Sequence, residues 1–297
     1  MKLSIAVVTM NRERQLLEAL QSCVECDLPE DTQFVIIDNA SSDGTESAIA
    51  NFFGIHHFEY YYEKLPRNIG CGNGRNYAYL KSKGEYVYFL DDDAYIDKNC
   101  RHFFKTALEI FENNNKIATL TTQIYDLMWQ KNRISHAGPE MMNGIKYCYI
   151  LCGGSHFLAR SFFQQSHPYF PNKYGYEEIL PSLRVMDSGY VNAFVENLRV
   201  IHNPLFNKWD YSVKTNEEYL IKDITISYVM KSKYYPKIFS PLIYFAYRFR
   251  CKYYLNKSQM LRSREMIVEM GESYLWGDRI KATTVYKMFK YFGCSIF

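Results

Sequence analysis

The sequence predicts an α/β fold, a mostly parallel central sheet flanked by helices and followed by a helical C-terminal extension. Three observations carry this. Short apolar runs alternate with helical patterns along residues 1–125. The runs are apolar at successive positions, as strands covered on both faces are. Polar residues stand at the ends of three of them, at Thr9, Asp38 and Asp91-Asp92-Asp93. Open parallel sheets bind ligands at the carboxyl ends of their strands, so this convergence marks a site.

The elements follow in order. Leu3–Thr9 is short, apolar and rich in β-branched residues, which suits a buried strand. Leu16, Leu17, Leu20 and Val24 recur at helical spacing. Phe34–Asp38 is a second strand, and Ser41-Ser42-Asp43-Gly44 supplies cap chemistry, Asp43 as the cap, for a helix whose apolar face is Ala48, Ile49, Phe52 and Phe53. A third strand is expected over His57–Tyr62, a helix over Asn73–Lys83, a fourth strand over Tyr86–Leu90, a helix over Cys100–Asn114 and a strand over Ile117–Tyr125. After residue 126 the alternation loosens into a Gly-, Tyr- and His-rich stretch running to about Pro204, expected to close over the site. Beyond Asn216 the chain is helical and basic, with Tyr and Phe interleaved.

The chain's 297 residues, 47% of them hydrophobic, suffice for a sizeable core. The net charge of +3 gives no reason to expect nucleic acid. That charge is uneven: residues 231–297 carry a net of +9, leaving −6 for the rest. Eight scattered Cys and a start without signal-peptide architecture predict a cytoplasmic chain with reduced thiols. The pair Cys23 and Cys26 is a lone CxxC and is expected to be structural. The longest apolar stretch, Ile238–Phe249, is interrupted by Ser240, Pro241 and Arg248 and is too short to span a bilayer.

Three consecutive carboxylates repel one another and are poor strand formers. At the end of a core strand, Asp91, Asp92 and Asp93 are expected to need a cation, and hard oxygen ligands suit Mg2+ or Mn2+ with phosphates completing the octahedron. Asp38 is placed to accept hydrogen bonds from a base or ribose. The Arg67–Asn76 segment is Gly-rich and basic, so its backbone can approach a phosphate and its arginines can pair with one. It is not a Walker loop. Glu177 and Glu178 are paired acids, either of which can serve as a general base. His202 ends a strand-like run and is a candidate metal ligand.

Over residues 3–205 the chain resembles the family-2 inverting glycosyltransferases of the GT-A fold. The likeness rests on Val7-Val8-Thr9-Met10-Asn11-Arg12, on Val35 to Thr45, on Asn68-Ile69-Gly70 with Arg75-Asn76, on Leu90-Asp91-Asp92-Asp93, on Cys152-Gly153-Gly154-Ser155, and on Tyr176-Glu177-Glu178 with Arg184 and Gly189-Tyr190. The resemblance implies a catalytic domain over 1–215, with a nucleotide-sugar half (1–125) and an acceptor half (126–215), and an extension over 216–297. It implies that Thr9, Asn11 and Asp38 hold the nucleoside, with Arg12 and Asp92 in the same nucleotide-sugar site. Arg67, Asn68 and Arg75 would border ribose and diphosphate. Asp91 and Asp93 match the DxD motif and, with His202, would bind Mn2+ or Mg2+, Asp93 being the first choice as direct ligand. Glu178 falls at the catalytic base, and Gly153, Gly154 and Ser155 at the acceptor side. Two positions depart from the family pattern: the base is Glu178 in place of Asp, which keeps Glu177 open as the base, and a further acid of that motif is replaced by Leu180.

The expected reaction moves a sugar from a nucleotide-sugar, UDP favoured and dTDP the alternative, to a hydroxyl of a saccharide or lipid-linked saccharide, in polysaccharide or glycoconjugate assembly. A nucleotidyltransferase is disfavoured because Thr9-Met10-Asn11-Arg12 stands where its Gly-rich loop would follow the first strand. A non-catalytic nucleotide- or carbohydrate-binding protein is the other alternative. Residues 231–297, basic and aromatic, suit an anionic membrane surface at its inner face, or else a subdomain or homodimer interface.

Overall fold

The computed structural model describes residues 1–171, 175–204, 217–271 and 278–297. Two compact units divide the chain, Met1–Pro204 and Leu205–Phe297.

The first unit is built on one mixed sheet. Strands β1 (Leu3–Thr9), β2 (Thr32–Asp38), β3 (Glu59–Lys64) and β4 (Tyr86–Leu90) lie in the order β3-β2-β1-β4, all parallel. The short strand β5 (Ala94–Ile96) follows the triple Asp. Strand β6 (Ile117–Asp126) is followed by β7 (Lys131–Asn132), β8 (Ala137–Met142), β9 (Ile145–Cys148), β10 (Ser155–Ala159) and β11 (Val191–His202). They extend the sheet as β4-β10-β6-β11-β9-β8, with β10 antiparallel to both neighbours and β11 parallel to β6. The stretch after 126 therefore contains more strand than its composition suggested. Its pairings are long-range and leave only a weak local signal.

Among the described residues, six helices cover the sheet. Successive side chains of a strand point to opposite faces. Phe34 and Ile36 therefore meet α1 (Glu13–Val24), α2 (Thr45–His56) and α4 (Phe103–Asn113) in one core, where Leu16, Leu20, Ile49, Phe53, Phe103 and Phe104 are buried. Val35 and Ile37 point the other way, into a second core shared with Ala78 and Tyr79 of α3 (Cys71–Lys81), Phe163 of α5 (Arg160–Phe163) and Val185 of α6 (Ile179–Asp187). Each such buried Leu, Ile or Phe contributes about 1.5–3 kcal/mol. Cys23 sits in the first core and Cys26 donates to the Ser22 carbonyl, so the CxxC is structural.

Some boundaries shift for local reasons. Helix α2 runs to His56, and His57 ends it with a left-handed backbone (φ 55°), so β3 starts only at Glu59. The N-cap of α2 is Gly44 rather than the expected Asp43, which sits one residue earlier and accepts from the amide of Thr45, the first residue of α2, at 3.2 Å. Helix α3 starts at Cys71, after Gly70 turns with φ 85°. Gly74 then lets α3 approach the sheet, because a Cβ there would lie 2.8 Å from Val8 Cγ1.

The second unit is helical. It contains α7 (Glu217–Tyr234), α8 (Ser240–Tyr254), α9 (Lys257–Gly271) and α10 (Ala282–Phe292). Ile221, Ile224, Tyr247, Cys251, Leu255 and Met266 form its core. Ser263 ties three helices together through Thr225 (2.7 Å) and Tyr247 (2.9 Å). Lys231 is buried, and its ammonium is pushed down to about 7 by burial and by nearby Arg250. Among the described residues, no helix is long and apolar enough to cross a membrane.

Candidate active site

The register of the parallel strands brings Thr9 and Asp38 side by side, while β4 on the other side of β1 ends at Leu90. The triple Asp thus leaves the sheet beside Thr9, whose hydroxyl donates to Asp92 at 2.8 Å. The turns after β1 and β2 are stitched together. Asn11, with φ 54°, donates its amide to Ser41 Oγ (2.9 Å) and accepts from the Ser42 amide (2.7 Å). Asp38 is fully buried, accepting from the Ser41 amide at 2.7 Å and from the Tyr62 hydroxyl at 2.8 Å. Its carboxylate thereby orders the turn that carries Asn39 to Ser42.

Two arginines pair with the three aspartates. Arg12 Nη1 donates to Asp92 (2.8 Å) and Asp93 (2.6 Å). Arg75 donates to Asp91 (2.8 Å). Arg75 is shared with Glu177 and Glu178, so the two guanidinium charges offset the three aspartates only in part, and the expectation that a divalent ion completes the compensation stands. Asp92 and Asp93 are buried and Asp91 is half-buried, so Asp91 is the carboxylate most open to solvent. Burial, with the charge of Asp93, raises the Asp92 carboxyl above its ordinary range despite Arg12.

Arg75 also joins the paired glutamates to this cluster. It projects from α3, is nearly inaccessible, and donates to Glu177 (3.0 Å), to Glu178 and to the Gly153 carbonyl (2.8 Å). Glu178 immediately precedes α6 and is pushed up to about 7, first by burial and then by the charge of Glu177, with Arg75 opposing. Among the described residues, Oε2 of Glu177 is buried and has no hydrogen-bond partner within ordinary geometry, although the Cys71 thiol lies close to this carboxylate. Gly153 and Gly154 close in from the turn just before β10: the Gly154 carbonyl accepts from the Asp91 amide at 3.1 Å. A Cβ on Gly153 would fall 2.3 Å from Glu178 Oε1, and one on Gly154 3.3 Å from Asp91 Oδ2.

A third group comes from the far strands. Parallel pairing of β6 and β11 sets His202 beside Asp126, and β5 pairs with β11 so that His202 also faces the triple Asp. One imidazole nitrogen, Nδ1, lies 2.7 Å from Asp126 Oδ1, and Nε2 lies 3.3 Å from Asp93 Oδ1. Arg133 holds Asp126 with two bonds, 3.1 and 2.7 Å. Burial lowers the tendency of His202 to protonate, but the hydrogen bonds to Asp126 and Asp93 more than offset it, and its net shift is upward. Sequence reasoning missed Asp126 and Arg133. Asp126 is a strand-end acid like Asp38 and was findable by the same rule; Arg133 carried no signal.

Not every expected residue joins the cluster. Ser155 is fully buried in β10, its hydroxyl bonded to Tyr88 (2.8 Å) and Thr122 (2.7 Å), so it props the sheet and does not face the site. Arg67 and Asn68 line a recess with Ile69, Asn73, Tyr77 and His167, and the Asn68 side chain donates to Met10 Sδ at 3.0 Å in the turn after β1. Asn68 there accepts from the Gly70 amide and helps turn the chain into α3. Tyr174, three residues before the paired acids, lies outside the described residues.

The model of the glycosyl transferase family 2 matches residues 4–170. The chain belongs to that family. One curated relative is the poly(ribitol-phosphate) β-N-acetylglucosaminyltransferase TarS of Staphylococcus aureus (strain Mu50 / ATCC 700699), 35% identical over 101 residues, or 33% of this chain and 17% of TarS. The chain therefore matches only a small part of that protein's length. The crystal structure of S. aureus TarS 1–349 with UDP-GlcNAc superposes with TM-score 0.65 at 18% identity, covering 91% of this chain and 81% of that one. The mannosyltransferase PcManGT of Pyrobaculum calidifontis, with GDP-Man and Mn2+, superposes with TM-score 0.62 at 13% identity, covering 97% and 79%. The fold of this family-2 glycosyltransferase is accordingly GT-A, a mixed central sheet flanked by helices, with C-terminal helices added.

Among the described residues, no three His, Cys, Asp or Glu converge as a ready-made metal cage. The donor set still fits a divalent ion of the Mg2+ type, which keeps much of its shell for water and phosphate oxygens. His202 presents a nitrogen toward Asp93, and the Asp126 carboxylate behind it fixes the ring, an arrangement common at metal-binding histidines.

Proposed function

We propose that this family-2 glycosyltransferase moves a sugar from a nucleoside diphosphate sugar, UDP favoured, to a hydroxyl of a saccharide or lipid-linked saccharide with inversion at the anomeric carbon. The observation that carries the reading is the single Arg75 guanidinium joining Asp91, at the strand-end cluster, to Glu177 and Glu178. It places a carboxylate poised near neutral pH beside the groups that would meet a diphosphate. The UDP-GlcNAc in the TarS structure supports a uridine donor, and dTDP is the alternative.

Thr9, Asn11 and Asp38 would hold the nucleoside, through the turns they order. Arg12 and Arg75 would turn part of their hydrogen-bonding capacity toward the diphosphate, stabilising charge as it develops on the leaving group. Asp93, Asp91 and His202 would hold Mn2+ or Mg2+, which would supply Lewis-acid neutralisation of the diphosphate. Glu178 removes the proton from the acceptor hydroxyl. That oxygen forms its bond to the anomeric carbon from the face opposite the diphosphate, the bond from carbon to diphosphate oxygen breaks, and the nucleoside diphosphate leaves with the electron pair. Glu177, beside Glu178 on the same guanidinium, would accept from a second acceptor hydroxyl.

The test is release of UDP from a panel of UDP-sugars with candidate acceptors, with Mn2+ or with chelator. Turnover that requires the ion and disappears in Glu178→Gln supports the reading. Donor binding without turnover on any acceptor would instead support a non-catalytic binding protein.

A further inference from the structure

Helix α8 of the second unit buries Ile243, Tyr247 and Cys251 on one side. A helix with a free side ordinarily presents polar residues there. Instead Leu242, Phe245, Phe249 and Tyr253 form a row on the opposite side at helical spacing, 51%, 70%, 60% and 73% exposed. Ile238, one turn before, is 76% exposed. At 100° per residue, Arg248 and Lys252 stand along one flank of this row. Between Asp223 and Glu265 the sequence has nine Lys and Arg and no acid.

Large apolar side chains outside, with cations beside them and no acid in the 224–264 stretch that carries them, match the interface of an anionic bilayer. The charge argues against a second copy of the same face, which would bring Arg248 and Lys252 against their own equivalents. The helix has 15 residues, about 22 Å, less than the roughly 30 Å hydrocarbon core, so it lies in the surface and does not span. We infer that the outward face of α8 is a membrane-docking surface, with Phe245 and Phe249 entering the acyl boundary and Arg248 and Lys252 meeting anionic headgroups. This inference does not depend on the catalytic reading, because vesicle binding is measured without turnover.

The experiment is flotation of the full chain with phosphatidylcholine vesicles, with and without about 30% phosphatidylglycerol, at low and high salt. The expected result is binding to the anionic vesicles at least about tenfold tighter than to the neutral ones, weakened by salt. Phe245→Ser with Phe249→Ser should cost at least about tenfold in vesicle binding, with an unchanged circular dichroism spectrum and unchanged UDP release. Arg248→Gln with Lys252→Gln should remove most of the preference for anionic lipid. Failure of the unaltered chain to float with anionic vesicles overturns the inference, as does equal flotation of the Ser variant. If neither protein binds vesicles and the Ser variant turns a dimer into a monomer by light scattering, the face is an interface between copies and the inference is wrong.

Discussion

Nδ1 of His202 lies 2.7 Å from Asp126, and this contact leaves the other ring nitrogen facing Asp93. Asp126 acts through the ring it orients. Replacing it with Asn removes the charge and lets the imidazole take the other tautomer or turn. Asp126→Asn is expected to weaken Mn2+ binding by about 10- to 100-fold, as loss of a carboxylate behind a ligating histidine commonly does. Titration calorimetry of the nucleotide-bound protein with Mn2+ reads this without turnover, and unaltered affinity would remove His202 from the ion site.

Glu178→Gln keeps the shape of the side chain and removes its basicity. Transfer should fall by about 100- to 10,000-fold, the usual worth of a positioned base. Nucleotide binding should stay near normal, because Thr9, Asn11 and Asp38 are untouched. Glu177→Gln should lose less. The reverse order, measured by UDP release in both variants, would make Glu177 the base.

The position of Glu178 predicts a pH profile. Its carboxyl titrates near 7 because burial and Glu177 disfavour the charged form. A base must be unprotonated to work, so kcat/KM should rise with pH through about 7 and fall away below it. The sign for stability is opposite. A carboxyl raised above its ordinary value favours folding most below that value, and this contribution is lost as pH rises through about 7. A profile flat from pH 5 to 8 would assign the proton transfer elsewhere.

Gly153→Ala tests the geometry around that base. The added Cβ would meet Glu178 Oε1 at 2.3 Å and Arg75 Nη1 at 3.4 Å, so the carboxylate must move. A misplacement of about 1 Å costs on the order of 100-fold in rate, and kcat should fall by that much while the melting temperature changes little. Unchanged kcat would show that the glutamate has room to relax.

Much of the first unit was legible because its signals are local. Runs such as Phe34–Asp38 are apolar at every position except the last, and only a strand buried on both faces needs that. Thr9, Asp38 and the triple Asp could be placed together before any coordinates, since parallel strands share one polarity. Arg75 could be placed near a phosphate, but not as the contact between two acidic groups 86 positions or more apart in sequence, because a helix phase does not say which loops close over it. His202 and Asp126 meet through register between strands 76 residues apart. Ser155 was misjudged for a related reason: its neighbours Tyr88 and Thr122 come from two other strands, and only the assembled sheet turns its hydroxyl inward.

Gly153 and Arg75 leave Glu178 very little freedom, and Arg75 is shared. One guanidinium has five N–H donors and a single positive charge to divide among three carboxylates. An incoming diphosphate competes for that charge at the Asp91 end. As Arg75 turns toward the donor, Glu178 loses the neighbour that holds its proton affinity down, and it becomes a stronger base. The protein would then acquire its full reactivity toward the acceptor only after the donor has arrived. Steady-state kinetics should accordingly be ordered, the nucleotide-sugar binding first and the nucleoside diphosphate leaving last.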